Sequence, residues 1–209
     1  MPAGDAAPSE SASVAIMRKR GTTTPREPPG KVRIIGGAWR SRRLAIPSGT
    51  SVRPTPDRVR ETLFNWLRND IEGAVCLDLY AGTGALGFEA LSRGAAEVWF
   101  VESDVLLVDA LEEHARLLGA RPTIVHRNSL AFLDERPQRR FDLVFVDPPY
   151  EQSLEPIFHR LRPWLADHPL IYAERPLDEG LPTFADFEWR KQSRAGAVVF
   201  GLAAPRQAS

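Results

Sequence analysis

Residues 76–94 read CLDLYAGTGALGFEALSRG, and this stretch decides the fold. Its first residues form an apolar run typical of a buried strand, and its last residues predict a helix. Gly82, Gly84 and Gly87 give the spacing G-x-G-x-x-G directly between the two, which lets the backbone turn tightly and approach a ligand closely. The stretch therefore predicts one strand–loop–helix unit of an α/β sheet, with a ligand site at the carboxyl end of the strand.

The same alternation continues along the rest of the chain. From residue 73 onward, strand patterns alternate with helix patterns, and the connections between them are short. Such alternation implies right-handed βαβ units and a parallel sheet. Residues 187–203, FEWRKQSRAGAVVFGLA, instead read as two strands with a glycine-containing link, an antiparallel hairpin at the sheet edge. We therefore predict a Rossmann-like α/β fold with a mostly parallel sheet of seven strands.

The chain before residue 71 differs in composition from the predicted sheet. Residues 1–30 are rich in Ala, Pro, Ser, Thr and Gly, so we expect a disordered tail. A small β-hairpin around GGAWRSRR and a helix follow, with Thr55 as the predicted N-cap and the helix arginines directed away from its apolar face. The predicted division is a tail (1–30), a basic extension (31–70), an α/β domain (71–204) and a second tail (205–209).

Composition limits the classes of protein that need considering. No apolar run approaches the ~20 residues that cross a bilayer, and no signal-peptide pattern is present, so we expect no membrane association. Cys76 is the only cysteine, so no disulfide can form within one chain, which fits a reducing cytoplasm. The four histidines do not pair with Cys or another His at metal-ligand spacing, and we expect no metal site.

Two acids flank the glycine loop and favour one cofactor over another. Asp78 lies four residues before Gly82, and Glu102 ends the next strand 20 residues after Gly82, about where a ribose-binding acid is found. A carboxylate so near the loop repels the pyrophosphate of a dinucleotide such as NAD and attracts a cation. S-adenosylmethionine has no phosphate and carries an ammonium and a sulfonium group. We therefore predict that S-adenosylmethionine binds here.

Asn128 and Ser129 follow the third strand of the alternating region, at the same edge of the sheet. The Asn128 amide can hydrogen-bond the adenine edge of the cofactor beside the Ser129 backbone N–H. Asn128 is equally well suited to cap the following helix, and the two roles are compatible.

The fourth strand ends on an unusual turn, Asp147-Pro148-Pro149-Tyr150. The lone pair of an exocyclic amine is delocalised into its base, so methylation requires acceptors that hold the two N–H groups. The Asp147 carboxylate and the Pro148 carbonyl can accept these hydrogen bonds, and the prolines stiffen the turn. Tyr150 offers a flat face on which a base can stack. We predict that all four residues form the catalytic turn.

Charge is distributed unevenly along the chain. Residues 1–60 hold 12 Lys/Arg and 4 Asp/Glu, whereas the other 149 residues hold 15 and 23. This asymmetry suggests that the basic end faces a polyanion. We expect Trp39 in the core, since buried aromatic residues normally serve packing. The predicted RNA-contacting residues are Arg40, Arg42, Arg43, Arg53, Arg58 and Arg60.

Four stretches carry a family resemblance: RIIGGAWRSRRL (33–44), RPTPDRVRETLFNWL (53–67), CLDLYAGTGALGFEALSRGA (76–95) and VFVDPPY (144–150). AGTG followed by DPPY resembles the S-adenosylmethionine-dependent amino-group methyltransferases. The four stretches together resemble the RsmD family, bacterial enzymes that methylate guanine N2 in 16S ribosomal RNA. The similarity extends from about residue 32 to residue 200.

The resemblance implies a class I methyltransferase that acts on 16S rRNA or the small ribosomal subunit, and we expect a cytoplasmic monomer. It assigns the cofactor to Asp78, Gly82, Gly84, Glu102, Asn128 and Ser129. The target base is assigned to Asp147, Pro148 and Tyr150. Two alternatives stay open: a DNA adenine-N6 methyltransferase, and a non-catalytic RNA-binding module with a methyltransferase fold.

Overall fold

The computed structural model describes residues 30–50, 52 and 54–206. Outside the described residues lie residues 1–29 of the predicted tail (1–30), residues 207–209 of the second predicted tail (205–209), and the predicted RNA contact Arg53. The elements are β1 (Lys31–Arg33), β2 (Arg43–Ala45), α1 (Asp57–Trp66), β3 (Val75–Asp78), α2 (Ala85–Ser92), β4 (Glu97–Glu102), α3 (Val105–Leu118), β5 (Thr123–His126), α4 (Ser129–Leu133), β6 (Phe141–Val146), α5 (Glu155–Leu161), a 3-10 turn (Arg162–Trp164), β7 (Leu165–Pro176), β8 (Phe187–Ala195) and β9 (Val198–Pro205).

Seven strands form the main sheet in the order β5-β4-β3-β6-β7-β9-β8. The first five of these are parallel, whereas β9 runs antiparallel to both β7 and β8. The predicted mostly parallel sheet with an antiparallel edge hairpin is confirmed. Before this sheet, β1 and β2 pair antiparallel as a separate small hairpin.

The strand order places a ligand crevice beside β3. The chain moves outward from β3 through β4 to β5, and then returns to place β6 on the other side of β3. Helices that leave β3 and β6 therefore diverge, and ligands of open α/β sheets bind at this switch point, outside the carboxyl ends of the strands. A hydrogen bond of 3.1 Å from the Leu79 backbone N–H to the Phe145 carbonyl joins the two strands at that edge.

Helices cover both faces of the sheet, which explains the nearly continuous apolar strands. Because successive side chains point to opposite faces, Leu143 and Phe145 pack under α1 and α2, whereas Val144 and Val146 pack under α4 and α5. Burying a side chain such as Phe145 stabilises the fold by ~2–3 kcal/mol. Within the described part of the chain, no helix is long and apolar enough to cross a membrane.

Helix α1 departs from the predictions at two positions. The predicted capping role of Thr55 is wrong: the helix begins at Asp57, its N-cap is Pro56, and the Thr55 hydroxyl instead donates to Asp147 Oδ2 at 3.3 Å. Arg60 was predicted to point away from the apolar face and to contact RNA, and this is also wrong. Its guanidinium is fully buried, because Asp57 Oδ1 at 2.6 Å and Glu89 Oε2 at 3.6 Å compensate its charge.

Candidate active site

The loop between β3 and α2 adopts a conformation that requires glycine. Gly82 has φ +51° and Gly84 has φ +77°, both in the left-handed region that side chains disfavour. The Gly84 N–H donates to the Ala81 carbonyl at 2.7 Å and closes the turn. A Cβ atom at Gly84 would lie 2.6 Å from both Leu111 and Phe88, so the loop lies directly against α3 and α2. The predicted glycine loop therefore presents its backbone at the carboxyl edge of β3.

Asp78 lies behind this loop, at the amino end of α2. Its side chain is buried, and Oδ2 accepts a hydrogen bond of 2.9 Å from the Gly87 backbone N–H. Burial raises the pKa of Asp78 to about 8; the bond from Gly87 acts in the opposite direction, and the charge of Glu102 raises the pKa further. A cation bound beside Asp78 would favour its ionised form, so the position suits the methionyl end of S-adenosylmethionine.

Glu102 ends β4 and faces the glycine loop. Oε2 accepts from the Gly82 N–H at 2.8 Å, and Oε1 accepts from the Ser103 and Asp104 N–H groups at 2.7 and 2.9 Å. An ionised carboxylate has about four acceptor positions, so these bonds orient Glu102 and leave acceptor capacity for a ribose hydroxyl. Sequence spacing placed this acid correctly at the edge of the sheet next to the loop.

Asn128 and Ser129 begin α4 at the same edge. Asn128 Oδ1 accepts from the Leu130 and Ala131 N–H groups at 3.0 and 3.2 Å, which confirms the capping role. The side-chain NH2 group of Asn128 makes no hydrogen bond within the described part of the chain, so a donor is available at this edge of the sheet. The Ser129 hydroxyl is buried and donates to the Leu79 carbonyl at 2.7 Å, so it ties α4 to the end of β3.

The Asp147–Tyr150 turn follows β6 directly, on the opposite side of β3 from Glu102. Pro148 is buried and Pro149 is exposed, while 48% of the surface of Tyr150 is accessible. Asp147 is partly exposed and accepts the bond from Thr55 through one oxygen; the other, Oδ1, makes no hydrogen bond within the described residues. The turn thus presents an acceptor and an aromatic face close to the cofactor loop.

Arg175 supports this turn from the end of β7, and sequence reasoning missed it. Its guanidinium donates to the Tyr150 carbonyl at 2.6 Å and to the Gln152 carbonyl at 2.9 Å. It also forms an ion pair with Glu179. The side chain is only 8% exposed, so these bonds fix the backbone at the end of the Asp147–Tyr150 turn and just after it. The sequence signal for Arg175 is that Glu174 and Arg175 stand together at the end of an apolar strand, where charged residues are seldom buried.

A second missed feature is a group of buried acids and hydroxyls around Asp147. The Tyr172 hydroxyl donates to Glu174 Oε2 at 2.8 Å, and both residues are buried on β7. Although part of the surface of Asp147 is accessible, the protein around its carboxyl group displaces water and raises its pKa well above the ordinary value; the neighbouring charge of Glu174 raises the pKa further. Burial likewise raises the pKa of Glu174. The signal for Glu174 was a carboxylate inside the apolar pattern PLIYAE.

The basic extension packs onto α2 through two side chains. Glu89 is fully buried and accepts from the Ile35 and Gly36 backbone N–H groups at 2.7 and 2.8 Å. The Ser92 hydroxyl accepts from the Trp39 N–H at 2.9 Å and donates to the Gly36 carbonyl at 2.6 Å. Trp39 is partly buried against the core, as predicted. The extension is therefore fixed to the helix that begins at the glycine loop.

The remaining predicted RNA contacts lie on the surface of the extension. Among the predicted RNA contacts that the structure describes, the exposed residues are Arg40, Arg42, Arg43 and Arg58. Two shallow arginine-lined grooves, which share Arg140, lie instead near the amino ends of β6 and β7. Because those ends are opposite the carboxyl edge of the sheet, the grooves are separate from the candidate active site.

The glycine loop, the acid at the end of β4 and the Asp147 turn at the switch point define a Rossmann-like methyltransferase. A 16S rRNA N2 methyltransferase from Thermus thermophilus, solved with S-adenosylmethionine and guanosine, shares this fold at a TM-score of 0.64 and 20% identity. Within this class the chain belongs to the RsmD family: the family model described as "Conserved hypothetical protein 95" matches residues 32–203.

Individual relatives agree with this assignment. The chain is 44% identical over 178 residues to the Escherichia coli K12 "Ribosomal RNA small subunit methyltransferase D", covering 83% of this chain and 89% of the relative. It is 40% identical over 182 residues to the Haemophilus influenzae protein of the same name, covering 83% and 93%. The solved structure of yhhF from Escherichia coli is 41% identical, with a TM-score of 0.78, and covers 86% of this chain and 100% of its own.

Proposed function

We propose that this chain transfers a methyl group from S-adenosylmethionine to the exocyclic N2 amine of a guanine in 16S rRNA of the small ribosomal subunit. The observation that carries the proposal is the position of the Asp147 turn. This turn follows β6, which pairs with β3, and β3 ends in the glycine loop. An amine held at that turn would lie on the strand next to the loop that would hold the cofactor. The relatives named as small-subunit rRNA methyltransferases support the class of substrate.

The cofactor fits the residues at the loop. Asp78 provides a buried carboxylate for a cation, and Glu102 retains acceptor capacity for a ribose hydroxyl. The Asn128 side-chain amide provides a donor for adenine, while Gly82 and Gly84 allow close approach of the backbone. When bound, S-adenosylmethionine supplies a methyl carbon whose bond to the sulfonium sulfur breaks as a nucleophile attacks, with the electron pair remaining on sulfur.

The Asp147 turn prepares the amine for that attack. The Asp147 carboxylate and the Pro148 carbonyl each accept one amine N–H, which holds the nitrogen and directs its lone pair. Tyr150 stacks on the base, an interaction of ~1–3 kcal/mol. The new C–N bond leaves a positive charge on nitrogen, and Asp147 Oδ1 accepts the proton that restores a neutral amine. Pro149 limits the movement of the turn between these steps.

The extension supplies the contacts to RNA. Arginine guanidinium groups bind phosphates bidentately, and such contacts give most of the salt-dependent affinity for RNA. A guanine must leave its stack to reach the turn, which favours an unpaired nucleotide. We propose Arg40, Arg42, Arg43, Arg53 and Arg58 for these contacts. We also propose that the protein acts as a cytoplasmic monomer, with residues 31–70 gripping RNA and residues 71–204 carrying out transfer.

One experiment tests the reaction and its alternatives together. Small ribosomal subunits from cells that lack this protein are incubated with the purified enzyme and methyl-labelled S-adenosylmethionine, and the RNA is digested for nucleoside mass spectrometry. We expect one labelled N2-methylguanosine per subunit and none with Asp147→Ala. Duplex DNA serves as the parallel substrate, and labelled N6-methyladenine there would instead favour the DNA enzyme. Cofactor binding without transfer to either substrate would favour the non-catalytic RNA-binding module.

A further inference from the structure

Asp147 is held on one side by a residue of the basic extension. The Thr55 hydroxyl donates to Asp147 Oδ2 at 3.3 Å although the two residues are 92 positions apart. Thr55 is itself buried, and its carbonyl accepts from Arg60 Nε at 3.1 Å. Arg60 is in turn held by Asp57 and by Glu89, the side chain that fixes the extension to α2. The buried arginine therefore places the Thr55 hydroxyl against the catalytic turn.

Glu174 approaches Asp147 from the neighbouring strand. The parallel register pairs Phe145 with Tyr172 and Val146 with Ala173, so the next pair along the two strands is Asp147 with Glu174. Strands lie ~4.8 Å apart, and paired residues project from the same face of the sheet. The ring contact between Phe145 and Tyr172 shows this shared face directly, and the Tyr172 hydroxyl donates to Glu174 at 2.8 Å.

We propose that Thr55 and Glu174 are positioning residues that act through Asp147 from opposite sides. Thr55 occupies one carboxylate oxygen and leaves Oδ1 directed at the amine. Glu174 forms with Asp147 a pair of carboxyl groups that holds one proton in the free enzyme. This role rests on the proposed function, because it assigns Asp147 Oδ1 as the acceptor of the amine hydrogen bond.

The charges around Asp147 support a shared proton. Two acids face it from adjacent strands, Glu174 on β7 and Asp78 on β3, and both raise its pKa. Arg175 lowers that pKa, but this guanidinium is bonded to carbonyls of the turn and to Glu179. Tyr172 is a further titratable neighbour, and it interacts with Asp147, with Glu174 and with Tyr150. With so little positive charge nearby, two ionised carboxylates at this position would repel each other strongly.

The two positioning residues have opposite effects on the ionisation of Asp147. The hydrogen bond from Thr55 favours the carboxylate and lowers the pKa of Asp147, whereas the charge of Glu174 raises it. Thr55→Val therefore moves the titration of Asp147 to higher pH, and Glu174→Gln moves it to lower pH.

The test reads Asp147 in the free protein and in the reaction. Carbon-13 NMR of the aspartate and glutamate carboxyl carbons follows the titration in wild type, Thr55→Val and Glu174→Gln, with Asp147→Asn to assign the signal. The pH dependence of single-turnover methyl transfer to small subunits is then measured for the two positioning variants. Thr55→Ser is the matched control, because it keeps the hydroxyl and should restore wild-type behaviour. Calorimetric S-adenosylmethionine binding verifies that each variant is folded.

We expect the titration of the Asp147 signal and the acid limb of the pH–rate profile to move together, to higher pH in Thr55→Val and to lower pH in Glu174→Gln. Unmoved titrations in folded variants would overturn the proposal, as would a shift of the same sign in both. The NMR measurement needs no RNA, so its outcome is independent of the substrate. A wild-type protein that shows the predicted titration but transfers no methyl group to the subunit would contradict the proposed function alone.

Discussion

Binding of a cationic cofactor should release a proton from Asp78. Burial raises the pKa of this carboxyl to about 8, so at pH 7 it is ~90% protonated in the free protein. A sulfonium or ammonium group beside the carboxylate favours its ionised form. Binding at pH 7 should therefore release ~0.9 proton from this residue.

The same linkage gives the pH dependence of affinity. Because Asp78 must lose its proton for the cofactor to bind, protonation of the free protein weakens the apparent affinity. The weakening factor is one plus the ratio of protonated to ionised Asp78. With the pKa of Asp78 at about 8, that factor is ~100 at pH 6 and ~4 at pH 7.5, so the Kd should fall ~25-fold over this interval. The interval lies below the ~8 at which an α-amino group loses its charge, so the cofactor remains cationic.

Isothermal titration calorimetry in buffers of different ionisation enthalpy measures the released proton directly. Asp78→Asn keeps the acceptor for the Gly87 N–H but cannot ionise, so the release and the steep pH dependence should both disappear. Asp109→Asn is the matched control, since it removes an exposed acid of α3 and should behave as wild type. Equal proton release from wild type and Asp78→Asn would refute the assignment of Asp78 to the cofactor cation.

Three further perturbations test other parts of the site. Asp147→Ala should lower single-turnover methyl transfer at least ~100-fold, because the amine loses its acceptor, while the calorimetric affinity for S-adenosylmethionine stays within about twofold. Gly84→Ala places a Cβ 2.6 Å from Leu111 in a left-handed conformation, so chemical denaturation should show a loss of ~2–5 kcal/mol; an unchanged midpoint would contradict the tight loop. Replacing Arg42 and Arg43 by Ala should reduce the salt slope of RNA binding by ~1.4–1.8, whereas Arg116→Ala on α3 should leave the slope unchanged.

The sequence predicted the sheet well because its signals are local. Each strand is a short apolar run, and the glycine loop lies between a strand and a helix that are adjacent in the chain. Asp78, Glu102 and Asp147 all stand at or just after strand ends, and parallel strands bring such ends to one edge of a sheet. The prediction of a common site at that edge therefore needed only the order of elements, not their packing.

The features that sequence reasoning missed depend on long-range pairing. Arg60 has the spacing of an exposed helical arginine, and only the docking of α1 beside Glu89 of α2 makes it a buried residue. Thr55 is a residue type that often caps helices, yet its hydroxyl hydrogen-bonds Asp147, which lies 92 positions away in the sequence. Glu174 interrupts an apolar strand, but nothing local shows that it lies beside another acid. Charged groups in a core are therefore the positions at which local patterns are least informative.

These long-range contacts change how the basic extension should be understood. A separate RNA-binding module would need only surface arginines and a flexible connection to the α/β domain. Here the extension gives its backbone N–H groups to Glu89 and its Thr55 hydroxyl to Asp147, so its folded state and the geometry of the catalytic turn depend on each other. Under the proposed function, RNA bound to the exposed arginines acts on the same segment that holds Asp147. We therefore expect substrate binding and amine alignment to be linked, so that a variant that weakens the contacts of Arg60 slows methyl transfer even where RNA binding is unchanged.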